Sequence, residues 1–276
     1  MNIPTIQGRQ FHFTDEDFQQ IRKLIYEHAG INLSNSKSEM VYNRVARRLR
    51  VTGVTSFEEY LRIVQTQSAE REAFINALTT NLTSFFREPE HFTILADYLR
   101  SVVSNRTIKI WCSASSTGEE PYTLAMTAIE ALGSLSSCVH ILATDIDTQV
   151  LKTAEAGIYS IDRIEKLTPE LKKRFFLKGK GDQQGNVSVR SELKNMITFQ
   201  SLNLLEKNWN IQGPFDVIFC RNVMIYFDKD TQLSILKKFV PLMTKESLLF
   251  AGHSENFYHA ADILVKKGRT IYGIAS

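Results

Sequence analysis

Three carboxylates stand where a nucleotide-binding α/β fold does its chemistry. The stretch SASSTGEEPYTLAM, residues 113–126, follows the strand-like run IKIWC and leads into a helix. It carries one glycine, Gly118, and then Glu119 and Glu120. About one βαβ unit later, ATDID ends a second strand-like run with Asp145. Ligands of open α/β sheets bind at the carboxyl ends of the strands, and a carboxylate at the end of the second strand can accept hydrogen bonds from both hydroxyls of a ribose. The pair of sites therefore suits an adenosine-containing cofactor, NAD or S-adenosylmethionine. NAD needs glycines that let backbone N–H groups close on its pyrophosphate. One glycine followed by two glutamates repels such a group. S-adenosylmethionine has no phosphate, and its α-ammonium is a partner for a carboxylate. We expect Glu119 to meet that ammonium and Glu120, with Pro121, to stabilise the first helical turn.

Other chemistry-bearing residues sit at the same end of the domain. The linker NLTSFFREPEHF, 81–92, joins two polar side chains, a phenylalanine pair and Arg87. The apolar strand FDVIFC ends in Arg221 and Asn222, with Tyr226 four residues on. AGHSENF places His253, Ser254 and Glu255 after the next strand. A Ser-His-Glu hydrolase does not follow, because no GxSxG elbow exists and the three residues are contiguous. Cys112, Cys138 and Cys220 form no CxxC pair and read as buried reduced thiols. The six histidines show no HxxxH or HExxH spacing, so no metal site is expected.

The charge total, 33 basic against 30 acidic residues, says little. Its distribution says more. SKSEMVYNRVARRLR, 36–50, holds Arg44, Arg47 and Arg48 at i, i+3 and i+4 on roughly one helical face, with Arg50 nearby. Such a face suits phosphates or an acidic protein surface.

These groups need elements to hold them. The first ~80 residues read as four helices, opened by Thr14 with Asp17, Ser36 with Glu39, and Ser56 with Glu59, the fourth running from Ala69 to Leu78. From Ile108 strand-length apolar runs alternate with helical segments, which predicts a doubly wound, mostly parallel sheet covered on both faces. The closing strands lack a crossover helix, so one should be antiparallel. Gly179–Phe199 reads as a small hairpin-like insertion. The expected division is a helical domain at 1–80, a linker and helix at 81–106 and an α/β domain at 107–276 with a β insertion at 176–199. No run of ~18 apolar residues is present. The N-terminus lacks a basic n-region and apolar h-region, so a cytoplasmic protein is expected.

Taken together, NLTSFFREPEHF, SASSTGEEPYTLAM, ATDID, FDVIFCRNVMIYFDKDTQ and LLFAGHSENF resemble the CheR family of chemoreceptor methyltransferases, from about residue 10 to the C-terminus. The resemblance implies a Rossmann-like methyltransferase domain behind a helical domain. It implies S-adenosylmethionine-dependent methylation of glutamate side chains on the cytoplasmic helices of chemoreceptors by a monomer. Cofactor contacts carried over by motif fall on Asn81, Thr83, Arg87, Glu119, Asp145, Asn203, Leu204, Cys220, Arg221 and Asn222. Arg87 and Tyr226 are the candidates beside the reacting methyl group. Arg44, Arg47, Arg48 and Arg50 are the candidates for receptor docking, and Gly179–Val189 for gripping a receptor tail peptide. A nucleic-acid methyltransferase or a silent cofactor-binding regulator are the alternatives. The chain has no Pro-Pro for the Pro-Pro-aromatic motif of DNA amino-methylases.

Overall fold

The computed structural model describes residues 9–102 and 106–275. Residues 1–8 of the N-terminal stretch and 103–105 of the expected linker lie outside that range.

Four helices enclose the first core. Helix α1, Asp15–Ala29, starts in a capping box: Thr14 Oγ1 accepts the Asp17 N–H and Asp17 returns the bond to the Thr14 N–H. It ends at Gly30, which takes φ +68°. Helix α2, Ser38–Thr52, does not start on Ser36 as expected; a 3₁₀ turn at Asn35–Lys37 precedes it, and Ser36 bonds Ser34 instead. Helix α3, Phe57–Thr66, is capped by Ser56, and α4 spans Ser68–Leu78. Phe18, Ile21, Val45, Leu49, Tyr60 and Phe74 fill the space between them.

Helix α5, Glu90–Val102, then leads to β1, Ile108–Cys112, and helix α6, Glu119–Leu132. Strand β2 is Val139–Asp145, and α7, Thr148–Ala156, is capped by Asp147. A small unit follows: β3, Ile158–Ser160; α8, Pro169–Phe175; β4, Phe176–Lys178; β5, Asn186–Val189. After the short α9, Ser191–Lys194, the main sheet resumes with β6, Ile197–Ser201, and β7, Phe215–Cys220. Helix α10, Lys229–Phe239, precedes β8, Met243–Ala251, β9, Leu264–Gly268, and β10, Ile271–Ile274.

The main sheet runs β6-β2-β1-β7-β8-β10-β9. Its first five strands are parallel, and β10 pairs antiparallel with both β8 and β9. The expected fold class is met. The chain winds outward from β1 through β2 to β6, then returns to β7 on the other side of β1. The switch point between β1 and β7 opens a crevice at their carboxyl ends.

Two expectations about strands change. The inserted sheet, ordered β3-β5-β4, begins at Ile158 rather than near 176. The run ITF, Ile197–Phe199, belongs to β6, parallel to β2 with Ile141 opposite Ile197. A five-residue edge strand leaves the same alternation as a hairpin arm, so pattern alone does not separate them. The last strand is likewise a hairpin, β9 with β10.

The helical part is bonded onto the sheet's carboxyl end. Asn32 N donates to Tyr226 O at 2.9 Å, and Asn203 Nδ2 to His28 O at 2.7 Å. Gly30 fits against Leu205 and Phe227, where a Cβ would stand 3.0 Å from both side chains.

Candidate functional site

A cavity of about 380 Å³ occupies the switch-point crevice. Its walls come from the ends of β1, β2 and β7, from the 81–87 linker, and from the 29–40 region of the helical part. Four non-glycine residues at or beside it take positive φ: Phe86, Glu88, Ser116 and Asn222. Strain of that kind persists only where surrounding bonds enforce it, and it gathers at functional sites.

Asp145 is buried at the end of β2. Its Oδ2 accepts the Ser116 N–H at 2.8 Å and its Oδ1 the Asp147 N–H at 2.9 Å. Burial pushes its pKa up to about 6, against the pull of those backbone donors. The Ile146 N–H is a third backbone donor to it, and of the carboxylate's four lone-pair sites one stays open to a further donor. Next to it, Asp147 accepts from Asn81 Nδ2 and Thr79 Oγ1, both at 2.8 Å, which fixes the linker to the sheet.

The two glutamates exchange the places expected for them. Glu119 does not line the cavity. It is buried against Arg163, whose Nε donates at 3.0 Å, and against the Thr117 hydroxyl at 2.6 Å. Glu120 lines the cavity instead. Its pKa is raised by burial and held back by Arg221, whose Nη1 lies 3.0 Å from Oε2. Neighbouring residues on a helix point about 100° apart, and the sequence does not give the helix's rotation.

Asn81, Thr83, Arg87, Asn203, Leu204, Arg221, Asn222 and Tyr226 all line the cavity. Arg87 is anchored by one bond, Nη1 to Leu82 O at 2.9 Å. Arg221 is buried over the rings of Phe92 and Phe219, with Glu88 Oε2 3.1 Å from Nη2. Cys220 does not line the cavity: it is fully buried in the core behind β7, and burial raises its thiol pKa. Glu88, His91 and His253 bring donor atoms within 4.8 Å of one another, a grouping that motif spacing missed. Arg221 supplies the positive charge beside them. Burial, then Arg221, lowers the His91 pKa to about 4, which keeps that ring neutral near pH 7.

The arginine helix is largely used inside the fold. Arg44 donates to the carbonyls of Ala77, Leu78 and Thr79, closing the C-terminus of α4. Arg48 forks onto Glu70 at 2.9 and 2.7 Å. Arg50 bonds Gln10. Arg47 alone of the four is exposed with no bond described. The expected docking set of four arginines is thereby reduced to the exposed Arg47 and Arg50, because Arg44 and Arg48 point at α4.

The CheR methyltransferase SAM-binding-domain model matches residues 81–272, and the CheR methyltransferase all-alpha-domain model matches residues 16–79. The chain belongs to the CheR methyltransferase family. It is 49% identical over 273 residues to chemotaxis protein methyltransferase 2 of Pseudomonas aeruginosa, covering 99% of this chain and 98% of that one. It is 53% identical to the chemotaxis protein methyltransferase of Klebsiella aerogenes, covering 97% and 92%. The Escherichia coli chemotaxis protein methyltransferase is 49% identical, covering 95% and 92%. The cofactor of this CheR chain is S-adenosylmethionine. The cavity suits it on its own chemistry: Asp145 keeps acceptor capacity for hydroxyls, Glu120 offers a carboxylate for a cation, and the turn at 113–118 lacks a phosphate-binding glycine run.

Proposed function

We propose that this protein transfers a methyl group from S-adenosylmethionine to glutamate side chains on the cytoplasmic helices of chemoreceptors, forming γ-methyl esters for chemotactic adaptation. The observation that carries the reading is that Arg87 and Tyr226 line the same cavity as Asp145 and Glu120. Asp145 would hold the ribose hydroxyls and Glu120 the α-ammonium. Asn81, Asn203 and Asn222 supply amide groups around the same space. Bound there, the cofactor supplies an electrophilic methyl group on a cationic sulfur.

A glutamate acceptor is ionised near pH 7, with a reference pKa of about 4.3, so the site needs no general base. Positioning and exclusion of water are then the protein's contribution. Arg87 attracts and orients the acceptor carboxylate, and Tyr226 bounds its approach. Exposed Leu82 and Ile225 line the same cavity and offer apolar contact to an incoming helix.

The internal use of Arg44 and Arg48 weighs against the nucleic-acid reading, which needs a free arginine face for phosphates. Arg47 remains available for an acidic receptor surface. The turn between β4 and β5, within Gly179–Val189, is the proposed seat of a receptor tail peptide. A monomer working in the cytoplasm completes the proposal; among the described residues no helix is long and apolar enough to cross a membrane.

The test is transfer of a labelled methyl group from S-adenosylmethionine to receptor-bearing membranes. The label should be released by mild alkali, as an ester is. Alkali-stable label, or label in added nucleic acid, would overturn the proposal.

A further inference from the structure

Glu255 sits on the loop after β8, and the excluded hydrolase triad is the one role its sequence neighbourhood offered. Its carboxylate is buried and points at backbone. Oε2 accepts the Asn222 N–H at 2.9 Å and the Gly252 N–H, while Oε1 accepts the Met224 N–H at 2.8 Å. The Ile225 N–H is a further donor to it. Two loops thus converge on one side chain.

The loop it grips lines the cavity with Asn222, Val223, Ile225 and Tyr226. Asn222 stands at φ +58°, a left-handed conformation that costs energy and needs enforcement. Glu255 holds its N–H, and Glu88 holds its side chain, Asn222 Nδ2 donating to Glu88 Oε1 at 3.2 Å. The loop's carbonyls are bound as well: Gln232 Nε2 donates to Met224 O and Phe227 O, and Asn32 N to Tyr226 O. Gly252 allows the two loops to touch; a Cβ there would stand 2.3 Å from Asn222 Nδ2.

We propose that Glu255 is a positioning residue for methyl transfer, acting through backbone N–H groups to set the 222–226 loop that presents Asn222 and Tyr226 to the cavity. Only an ionised carboxylate offers two acceptor-only oxygens to three or more converging donors. A glutamine places an NH₂ where one of those oxygens accepts. The inference rests on the methyltransferase reading above and names a residue that reading does not use.

The test is Glu255→Gln, with Gly252→Ala as a second variant whose Cβ would wedge between Asn222 and the Glu255 carboxylate, 2.3 Å from Asn222 Nδ2 and 2.9 Å from Glu255 Oε2. Active sites are counted by S-adenosylhomocysteine binding, and kcat per competent site is measured with receptor-bearing membranes. Hydrogen exchange of the peptide covering residues 221–227 is read in parallel, without reference to activity. Both variants should lose on the order of 10- to 100-fold in kcat per competent site, the scale of a small misplacement of reacting groups. Exchange should quicken at Asn222, Met224 and Ile225 and stay unchanged in β7. Normal kcat per site, or lost kcat with unchanged exchange, overturns the proposal. If Glu255→Gln yields no folded protein, Gly252→Ala decides alone by the same two readouts. Inactive wild-type protein would count against the receptor reading, and the exchange result would still judge the loop clamp.

Discussion

Arg221 and Glu120 form an ion pair at the floor of the cavity, Nη1 to Oε2 3.0 Å, close enough for charge but not aligned as a hydrogen bond. The same guanidinium bonds Glu88 and Arg87 O, so one buried cation ties the linker, the start of α6 and the end of β7 together. Replacing it by methionine leaves two carboxylates without their cation. Removing one partner of a buried charged group costs about 3–5 kcal/mol. Arg221→Met should lower unfolding stability by that amount in urea titration. Arg221→Lys should recover only part, because lysine has no fork.

Asp145 predicts a pH dependence. Its pKa is raised from 3.8 to about 6 in the ligand-free fold. Ribose hydroxyls donate to the ionised form, so binding favours loss of that proton. Cofactor affinity should therefore fall as pH drops through about 6, by up to about tenfold per unit. For folding the sign is opposite: the contribution present below pH 3.8 is lost as pH rises through about 6. Calorimetry of cofactor binding between pH 5 and 8 should show this limb, and Asp145→Asn should remove it.

The adjacent glutamates should separate cleanly. Glu120→Gln removes a cavity carboxylate and should weaken cofactor binding by about 1.5–3 kcal/mol, the scale for a hydrogen bond to a charged group. Glu119→Gln should leave cofactor affinity within about 0.5 kcal/mol. It should instead loosen Arg163, which also reaches Thr83 O, and appear as a lower Tm. Equal affinity losses would return Glu119 to the site.

The arginine helix gives a contrasting pair. Arg48→Ala leaves Glu70 buried with only Tyr60 as partner and should cost about 1–3 kcal/mol of stability. Arg47→Glu should leave stability within about 0.5 kcal/mol and raise the KM for receptor. A raised receptor KM for Arg48→Ala alone would move the docking face.

What the sequence revealed and what it hid divide along physical lines. The Thr14–Asp17 cap, the strand alternation, Asp145 at the end of β2 and Arg221-Asn222 at the end of β7 are local signals, and each appears in place. The rotation of α6 is not local, so the sequence does not say that Glu120 rather than Glu119 lines the cavity. Arg44 and Arg48 share a face with Arg47, but that face partly meets α4, a contact between elements that spacing does not record. Glu88 and Glu255 converge on Asn222 from sites 134 and 33 residues away in the chain. The helical part's share of the cavity wall rests on contacts such as Gly30 against Leu205 and Phe227, about 175 and 197 residues away, which no local pattern records.

The most direct measurement is mass-spectrometric mapping of the methylated residue after incubating the protein with S-adenosylmethionine and receptor-bearing membranes. The predicted result is a methyl ester on glutamate side chains of the receptor's cytoplasmic helices, absent when the cofactor is omitted. A methyl group on a nitrogen or a nucleic-acid base, or no transfer from protein that binds the cofactor, would contradict it.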